Sequence, residues 1–367
     1  MTETAQTAAR LEAWLNGAAL PLWTGTGVDA ATGTVWEALD HDGRPLEDMQ
    51  RRLRVQVRQA YCFVMSDDPA HQELALRLFR FAMDRGFDPV TGHLAARLAP
   101  DTSIVTVLHD LYDMAFMLLA AAALTEAGFD VGADLARLEA ELAKLKAPRG
   151  WYENAGHSLP RRQNPHMHLF EAMTALYKAT GEARFRAMAE ECLGLFTGVF
   201  LTPDGRVLEF FDADWTPVAE AEQAIEPGHM AEWVFLVDQF EQVAGVDTGL
   251  PLATIFAAAL DRRDPSGLLP DVSDPQCGTR RTWPQTEFLK AALVLRRRGG
   301  TLPEGADPET VLELMWAQYL DTPVAGGWYD RRAADGALLS DNMPASTFYH
   351  IFVAFRLYIG LHGTPEA

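Results

Sequence analysis

Apolar residues recur every three or four positions along most of the chain, as in the segment Ala183 to Phe196. That spacing is typical of amphipathic helices, whereas the alternating pattern typical of strands occurs only in short, scattered runs. The pattern predicts about twelve helices. Their expected starts lie near residues 4, 46, 69, 106, 131, 164, 183, 226, 249, 282, 306 and 342.

The predicted helices alternate between two kinds. One kind is charged on one face and apolar on the other, as in Gly132 to Leu145, and the other carries unusual polar residues near its start. The polar starts are RVQVRQAY, HDLYDMAF, QNPHMHLFE, EPGHMAEW, RTWPQTE and STFYH. Their polar residues recur about every 55 to 65 positions, which indicates a supersecondary repeat. One residue from each start, in chain order, shows this period: Arg58, Asp113, His168, His229, Gln285 and His350.

Six such repeats predict six helical hairpins that close into a ring with the polar starts inside. The expected fold is all-α, an (α/α)6 barrel that forms a single domain over residues 1–367. An open α-solenoid is the alternative, but it gives no reason for polar clusters to recur once per repeat. In a closed ring the helix starts converge at one end, where their free N–H groups suit polar or anionic ligands.

Composition narrows the function classes. The chain has 367 residues, 48% of them hydrophobic, and a formal net charge of −20. The acidic balance disfavours nucleic acid and anionic membranes as partners, and the longest apolar run, Met114 to Leu124, is too short to span a bilayer. The N-terminus shows no secretory signal, and Cys62, Cys192 and Cys277 match neither a disulfide framework nor a metal motif. We expect a cytoplasmic protein, either a monomer or a homodimer.

The third polar start carries the densest cluster of candidate residues. Asn164 and His168 are four residues apart, so both face the same side of a helix. We interpret this pair as part of a binding or catalytic site. His166 points to another side of the helix, and we assign it a structural hydrogen-bonding role.

Two further histidines are candidates for acid/base chemistry. Pro227 and Gly228 deliver His229 to a helix start, and Glu232 follows three residues later. That spacing brings the carboxylate close enough to orient or charge the imidazole, as in an acid/base unit. His350 occupies the sixth repeat, although its apolar setting is also typical of a buried structural histidine.

The fifth polar start combines an aromatic ring with polar groups. Trp283 offers a flat apolar face and Gln285 an amide, a combination that suits a sugar ring. Glu287 is either a carboxylate of the same site or the ion-pair partner of Arg280 or Arg281.

The first two polar starts add an arginine, a tyrosine and an aspartate. Among the early arginines we expect Arg58 to face inward. Tyr112 and Asp113 either bind a ligand or only cap and pack their helix. The other early arginines are expected on solvated faces: Arg51, Arg52 and Arg54.

Common cofactor and metal motifs are absent from the sequence. It has no Walker A, GxSxG or HExxH motif, and His166 and His168 are two residues apart, which is poor geometry for a shared metal on a helix. We therefore expect neither a cofactor nor a metal, and chemistry by side chains alone. Imidazoles that are neutral near pH 7 suit moving a proton on and off a carbon next to a carbonyl.

In combination, these motifs resemble those of the N-acylglucosamine 2-epimerase superfamily. QNPHMHLFEA, PGHMAEW and WPQTE occur in order, preceded by Arg58-Gln59 and LYDMAF, and the resemblance extends from about Trp23 to the C-terminus. It implies an (α/α)6 barrel and cofactor-independent proton transfer at C2 of an opened sugar.

The resemblance also implies a role for each matched residue. His229, supported by Glu232, and His350 would be the acid/base pair, with His350 the base for the C2 proton. The remaining matched residues would bind the sugar, assist ring opening, stabilise an enediolate or line the pocket: Arg58, Asn164, His168, Trp283 and Gln285.

The residues after His350 favour the isomerase branch, because the N-acylglucosamine epimerases follow their last histidine with Pro-Arg and this chain has Ile351-Phe352. We expect an aldose–ketose isomerase whose small-molecule substrate is a monosaccharide, with D-mannose to D-fructose the best match. A sugar 2-epimerase with the same residues is the alternative. A phosphorylated or sulfonated sugar is a further option, since seven arginines could supply a basic rim: Arg51, Arg52, Arg54, Arg161, Arg162, Arg280 and Arg281.

Two other classes of protein predict different use of the same residues. A glycoside hydrolase of this fold would use Glu232 and Glu287 as its carboxylate pair and would not need His229 and His350. A non-catalytic sugar-binding protein would be served by Asn, Asp and Trp side chains without several histidines in repeat-equivalent positions.

Overall fold

The computed structural model describes residues 2–273 and 277–363, and this part of the chain is mostly helical. A π-helical segment, Leu15–Ala19, joins the first two α-helices into one continuous rod, so the described helices form twelve long elements. In chain order the α-helices are α1 Glu3–Trp14, α2 Leu20–Thr24, α3 Leu53–Val64, α4 Pro69–Arg85, α5 Leu111–Glu126, α6 Gly132–Ala143, α7 Gln163–Thr180, α8 Ala183–Leu195, α9 Pro227–Ala244, α10 Leu252–Leu260, α11 Thr282–Arg297, α12 Pro308–Met315 and α13 Ala345–His362.

Six helices close into an inner ring. Helix α3 packs on α5, α5 on α7, α7 on α9, α9 on α11 and α11 on α13, and α13 returns to α3. An outer helix packs on each inner one: α4 on α3, α6 on α5, α8 on α7, α10 on α9, α12 on α11, and α1 on α13. The predicted (α/α)6 barrel is therefore confirmed, and the open solenoid is rejected because the last inner helix contacts the first.

The two rings differ in sequence because they differ in burial. Helix α5 is apolar almost all round and nearly every residue is buried, as expected of a helix that packs on both sides. Helix α6 instead buries a single stripe, Leu135, Leu138 and Leu142, and exposes its charged face. Within the described residues no helix is both long and apolar enough to cross a membrane. All three cysteines are free.

Short strands cluster where the inner helices begin. They form four small antiparallel sheets, ordered β1-β9, β2-β3-β4, β5-β6 and β7-β8. The registers place Arg52 opposite Arg97 and Arg162 opposite Phe210. The strands are β1 Ala38–Asp40, β2 Arg51–Arg52, β3 Ala95–Leu98, β4 Ile104–Val107, β5 Arg161–Arg162, β6 Phe210–Phe211, β7 Thr279–Arg281, β8 Arg331–Ala333 and β9 Asn342–Pro344.

These strands correct two predicted helix starts. The helices expected from residues 46 and 106 begin at Leu53 and Leu111 instead. Strand β2 ends directly before α3, and strand β4 consists of the β-branched residues Ile, Val, Thr and Val, which favour extended backbone over a helix. The polar starts therefore lie at the junction of a strand or turn with an inner helix.

Candidate active site

The first turns of the six inner helices surround a cavity of about 470 Å³ at one end of the barrel. Because residues i and i+4 share a helix face, the second and sixth residues of each helix, together with its cap residue, form three layers at this end of the barrel. The cap layer is Arg52, Asp110, Arg162, Glu226, Arg281 and Pro344. The second-residue layer is Arg54, Tyr112, Asn164, Gly228, Trp283 and Ser346. The sixth-residue layer is Arg58, Phe116, His168, Glu232, Glu287 and His350. All of these residues except Gly228, Phe116 and Glu287 line the pocket.

Gly228 interrupts the middle layer for a steric reason. A Cβ atom at this position would lie 2.6 Å from the ring of Trp283. The missing side chain lets the Trp283 ring lie across the pocket wall, with its centroid 5.1 Å from that of His229 and 5.6 Å from that of His350. Trp283 therefore lies between the two candidate acid/base residues, as an apolar face in an otherwise polar pocket.

Three alternate inner helices begin with the same Arg-Arg pair at the end of a strand. Successive strand residues point to opposite sides, so the first arginine of each pair is buried in the wall: Arg51, Arg161 and Arg280. The second faces the pocket and forms an ion pair with a carboxylate. These pairs are Arg52 with Glu37, Arg162 with Glu153 and Arg281 with Asp271.

The early arginines are thus not on solvated faces, as the sequence had suggested. Arg51 is buried and binds Asp29 at 2.8 Å, whereas Arg52 and Arg54 line the pocket. The basic rim expected from seven arginines is reduced to Arg52, Arg54, Arg162 and Arg281, together with Arg58 deeper in the pocket.

His166 and Gln285 occupy equivalent structural positions in their helices. This position agrees with the structural role expected for His166, and it corrects the expectation that Gln285 lines the pocket. The fourth residue of α3, α7 and α11 is Gln56, His166 or Gln285, and each accepts a hydrogen bond from a backbone N–H of the preceding loop, at 2.8, 3.1 and 2.9 Å respectively. Gln285 Nε2 also donates to the carbonyl of Leu269, so its amide lies outside the pocket lining. Burial lowers the pKa of His166 to about 3, as suits a neutral structural imidazole.

His229 lies at the pocket wall with carboxylates behind it. Its Nδ1 lies 2.9 Å from Glu209 Oε1 and 3.5 Å from Glu226 Oε2. Burial alone would lower the pKa of His229, but the negative charges of Glu209 and Glu226 raise it to about 10. Its Nε2 lies 3.2 Å from Asn164 Nδ2. A 180° turn of that amide would bring Oδ1, which has no partner among the described residues, to accept from a protonated Nε2.

The partner of His229 is not the residue expected from the sequence. Glu232 was expected to orient the imidazole, but Glu209, on the segment before strand β6, accepts the hydrogen bond instead. Both carboxylate oxygens of Glu232 are buried without a hydrogen-bond partner among the described residues, and the side chain lines the pocket. Burial, together with the nearby Glu287, raises the pKa of Glu232 well above its usual range, so this group is a neutral acid that can donate to a ligand.

His350 has the opposite electrostatic setting. Its Nδ1 lies 2.9 Å from Glu287 Oε1. Burial and the positive charges of Arg58 and Lys290 lower the pKa of His350 well below its usual value. Glu287 is fully buried behind His350, so the expectations that it lines the pocket or pairs with Arg280 or Arg281 are both corrected.

Asn164, His168 and Arg58 complete the floor and wall. His168 Nδ1 lies 3.0 Å from Glu171 Oε2, which leaves Nε2 free for the pocket, and burial lowers the pKa of His168 to about 4. Arg58 lies 3.9 Å above the ring of Phe116 and donates to the Tyr112 hydroxyl at 2.6 Å. Its Nε has no partner among the described residues and remains available to a ligand oxygen.

Asp113 acts through another residue. It is buried, accepts a hydrogen bond from Arg54 at 2.8 Å and does not line the pocket, which corrects its expected role as a ligand-binding residue. Burial raises the pKa of Asp113 to about 6, against the opposing charge of Arg54. Tyr112, its neighbour, does line the pocket.

Three groups of side chains approach closely enough to share a metal ion. In each group the imidazole Nδ1 already has a carboxylate oxygen at hydrogen-bond distance, and that contact accounts for the close approach without an ion. The groups are His168 with Glu171 and Glu232, His229 with Glu209 and Glu226, and His350 with Glu232 and Glu287.

The site can be compared with known proteins. A family model described as N-acylglucosamine 2-epimerase (GlcNAc 2-epimerase) matches residues 34–354. The chain is 36% identical over 379 residues to a mannose-6-phosphate isomerase of Rhizobium meliloti (strain 1021), with 95% of each chain covered.

Solved structures with the same fold come from both sugar isomerases and epimerases. A D-mannose isomerase is similar with a TM-score of 0.85 and 19% identity, over 98% of this chain and 99% of that one. A cellobiose 2-epimerase from Spirochaeta thermophila DSM 6192 gives a TM-score of 0.81 and 21% identity, over 97% of this chain and 96% of that one. At these identities the likeness establishes the fold alone.

Proposed function

The chain belongs to the N-acylglucosamine 2-epimerase family of sugar isomerases and epimerases, and we propose that it is an aldose–ketose isomerase that interconverts D-mannose and D-fructose. Family membership confirms the resemblance found in the motifs. The names of two relatives, a mannose-6-phosphate isomerase and a D-mannose isomerase, support the choice of a mannose-type aldose. The proposal depends most on one feature of the site, namely two imidazoles with opposed protonation that face one cavity.

The opposed protonation assigns an acid and a base. At neutral pH His229 carries a proton, because its folded pKa of about 10 lies above the solution pH. His350 is neutral, because its pKa is lowered. Two titratable groups whose surroundings separate their pKa values in this way are suited to act as acid and base.

The reaction follows from this pair. In the open-chain aldose, His350 Nε2 takes the proton from C2, and the electron pair forms the C1=C2 bond of an enediolate while O1 becomes negative. His229 donates a proton to O1 and accepts the proton of O2. His350 then returns its proton to C1, which gives the ketose and restores both imidazoles. Arg58 and the neutral acid Glu232 lie where they would stabilise the developing oxyanion.

Sugar binding uses the remaining pocket residues. Trp283 offers its ring face, and Asn164 and Tyr112 offer hydrogen-bonding groups at the wall. His168 is a neutral imidazole on the same helix face as Asn164, and we assign it to opening of the sugar ring. Behind the pocket wall, Asp113 binds Arg54, Gln285 binds the backbone of Leu269 and Glu287 lies beside His350.

The epimerase alternative uses the same two imidazoles differently. If His229 returned a proton to the opposite face of C2, the product would be the epimer. We test this by NMR of D-mannose, D-glucose, D-fructose and N-acetylmannosamine with the protein in heavy water. Formation of ketose with deuterium at C1 supports the isomerase. An epimer with deuterium at C2 and no ketose would overturn it in favour of the epimerase.

A phosphorylated mannose is the second candidate substrate. The Rhizobium relative is named a mannose-6-phosphate isomerase, and four arginines ring the pocket mouth: Arg52, Arg54, Arg162 and Arg281. Each of the four already has a carboxylate partner, which favours the neutral sugar. The two candidate substrates are distinguished by comparing kcat/KM for D-mannose and for D-mannose 6-phosphate. In Arg162→Gln, a fall in kcat/KM for the phosphorylated sugar alone would identify it as the substrate that this arginine binds.

The hydrolase alternative does not fit the position of its carboxylates. Only Glu232 of the expected pair lines the pocket. Glu287 is fully buried, with Oε1 beside His350 and Oε2 beside Lys290 at 2.6 Å, so it cannot reach a glycosidic bond. A non-catalytic sugar-binding protein would show no deuterium exchange in the same NMR experiment.

A further inference from the structure

A single layer of side chains separates the active-site pocket from a second cavity at the opposite end of the barrel. The layer consists of the ninth residue of each inner helix, and five members line the second cavity: Tyr61, Leu119, Glu171, Phe235 and Val353. The sixth member, Lys290, does not. It is the one lysine among the buried residues of the described chain, and its Nζ lies beside Glu287, the carboxylate behind His350.

Lys290 is the first member of a buried series that ends at the proposed base. Its Nζ lies 2.6 Å from Glu287 Oε2 and 4.4 Å from the ring centroid of Phe235. The other oxygen of Glu287 lies 2.9 Å from His350 Nδ1. Lys290 and Glu287 are three apart on α11, so a single helix turn aligns the ammonium group and the carboxylate beneath the imidazole.

The protonation state of Glu287 decides which nitrogen of His350 carries hydrogen. An ionised carboxylate only accepts hydrogen bonds. It therefore requires hydrogen on Nδ1, and the lone pair of the neutral ring is then on Nε2, which faces the pocket. A protonated carboxyl group would donate to Nδ1 instead, and hydrogen would move to Nε2, where it would block the uptake of a substrate proton.

We propose that Lys290 is a positioning residue that keeps Glu287 ionised and thereby holds His350 in the tautomer able to accept a proton. The role assigned to His350 rests on the proposed function, whereas the tautomer does not. Burial raises the pKa of Glu287, and Lys290 opposes that rise more than any other group. Loss of Lys290 would raise the pKa of Glu287 further and so favour the protonated carboxyl group.

The other groups around Glu287 do not replace this lysine. Helix α9 presents Glu232, a second acid, and α13 presents His350 itself. His168 of α7 affects the pKa of Glu287 less than Lys290 does, and its own pKa of about 4 leaves it neutral at pH 7. Helix α10 has no titratable residue. The acids of α12 pair elsewhere, Glu309 with Arg296 and Glu313 with Arg10.

The kinetic test compares Lys290→Met with the wild-type enzyme across pH. Methionine keeps the length of the side chain and removes its charge. We expect kcat to fall by about 10²-fold at pH 7, as expected when a base is held in the wrong tautomer, with KM changed much less. The deficit should shrink as pH rises, because Glu287 then ionises without help. A loss of equal size at every pH would overturn the proposal.

A matched control is Lys178→Met, which removes a lysine of the second cavity that pairs with Glu126 at 2.6 Å. Its kcat and pH profile should match those of the wild type. A pH-dependent loss of the Lys290→Met type in this variant would contradict a specific role for Lys290.

The tautomer itself can be read without any sugar. Two-bond ¹⁵N–¹H NMR spectra of the full chain, labelled at histidine and assigned with His350→Asn, distinguish hydrogen on Nδ1 from hydrogen on Nε2. We expect Nδ1–H in the wild type and Nε2–H in Lys290→Met at pH 7. Wild-type Nε2–H overturns the proposal even if the variant does not fold. If no sugar reacts, the proposed function fails, and these spectra still decide the role of Lys290.

Discussion

Each half of the pocket contains a histidine, and the two histidines are surrounded by opposite charges. On one side, Glu209 and Glu226 lie behind His229 and raise its pKa to about 10, against the effect of burial. On the other, burial together with Arg58 and Lys290 lowers the pKa of His350 well below its usual value. Both imidazoles use Nδ1 toward a carboxylate and present Nε2 to the cavity. The difference is therefore set by the charged residues that surround each ring.

This contrast shows how a symmetrical scaffold makes an unsymmetrical site. Every inner helix brings the same three positions to this end of the barrel, and the sixth position alone holds an arginine, a phenylalanine, two histidines and two glutamates. Glu287 behind His350 has a lysine partner at 2.6 Å, whereas the ion-pair partner of Glu209 is His229 itself. We infer that this cation makes one carboxylate–imidazole pair a base and leaves the other an acid.

Removal of the base should have the largest effect. We expect His350→Asn to lower kcat by about 10³-fold or more, because a positioned general base supplies about 10²- to 10⁴-fold. Exchange of the C2 proton into heavy water should be lost as well. His157→Asn changes an exposed loop histidine and should leave both measurements unchanged. Retention of C2 exchange by His350→Asn would show that another group takes the proton.

Removal of the acid should be less damaging and should separate the two reaction types. We expect His229→Gln to lower ketose formation by about 10²-fold, since glutamine can still donate a hydrogen bond to O1 but cannot transfer its proton. Exchange at C2 should continue through His350. If His229 were instead the second base of an epimerase, the variant would lose epimer formation and retain exchange from only one of the two sugars.

Removal of one carboxylate should make the surroundings of His229 more like those of His350. Glu209→Gln removes the main charge that raises the pKa of His229, so the alkaline limb of the kcat profile should move to lower pH while the acidic limb stays in place. At pH 7 we expect a loss of about 10-fold or less. Glu222→Gln, a change to a nearby exposed carboxylate, is the control. An unmoved alkaline limb would contradict the assignment of His229 as the acid.

The same variant tests a stability effect with a defined sign. The pKa of His229 is higher in the folded chain than the value of about 6.5 in an unfolded one. Its contribution to stability is therefore fully present below about pH 6.5 and is lost as pH rises through about 10. The difference in free energy of unfolding between wild type and Glu209→Gln should shrink over that interval in urea titrations.

The fold could be predicted from the sequence because its period is a property of helix pairs. Polar helix starts that recur about every 55 to 65 residues predicted a closed ring, and the six inner helices do form one. The helix starts were less predictable at Leu53 and Leu111. Short strands precede them, and their β-branched and charged residues fit both patterns over a few positions.

The site was predictable only where its partners share a helix. Asn164 and His168 follow helix spacing and both line the pocket, as expected. Glu209 lies 20 residues before its partner His229 on a different segment, so no helix spacing connects them. A carboxylate flanked by Leu208 and Phe210 was the available signal, since such a residue is seldom buried without a partner. The Arg-Arg pairs before three alternate inner helices were a second signal. That one arginine of each pair is buried and the other faces the pocket became clear only once the strands were known.

The smallest effect on activity is expected at the structural histidine. The chain itself supplies the substitution, because Gln56 and Gln285 occupy the position equivalent to His166 and accept the same backbone hydrogen bond. His166→Gln should therefore keep kcat within about two-fold of wild type, an effect below 1 kcal/mol. A loss as large as that of His229→Gln would place His166 in the chemistry, against the contacts of its ring.

Its effect on stability should depend on pH. The pKa of His166 is lowered to about 3, so the unfolded chain takes up a proton below about pH 6.5 that the folded chain does not. The contribution of His166 to the free energy of unfolding is therefore fully present above about pH 6.5. It is lost as the pH falls toward 3, by about 1.4 kcal/mol for each pH unit. Urea titrations at pH 7 and pH 5 should show a loss about 2 kcal/mol smaller in His166→Gln. Because every other titrating group is shared, equal losses in the two proteins would mean that His166 is charged in the folded chain.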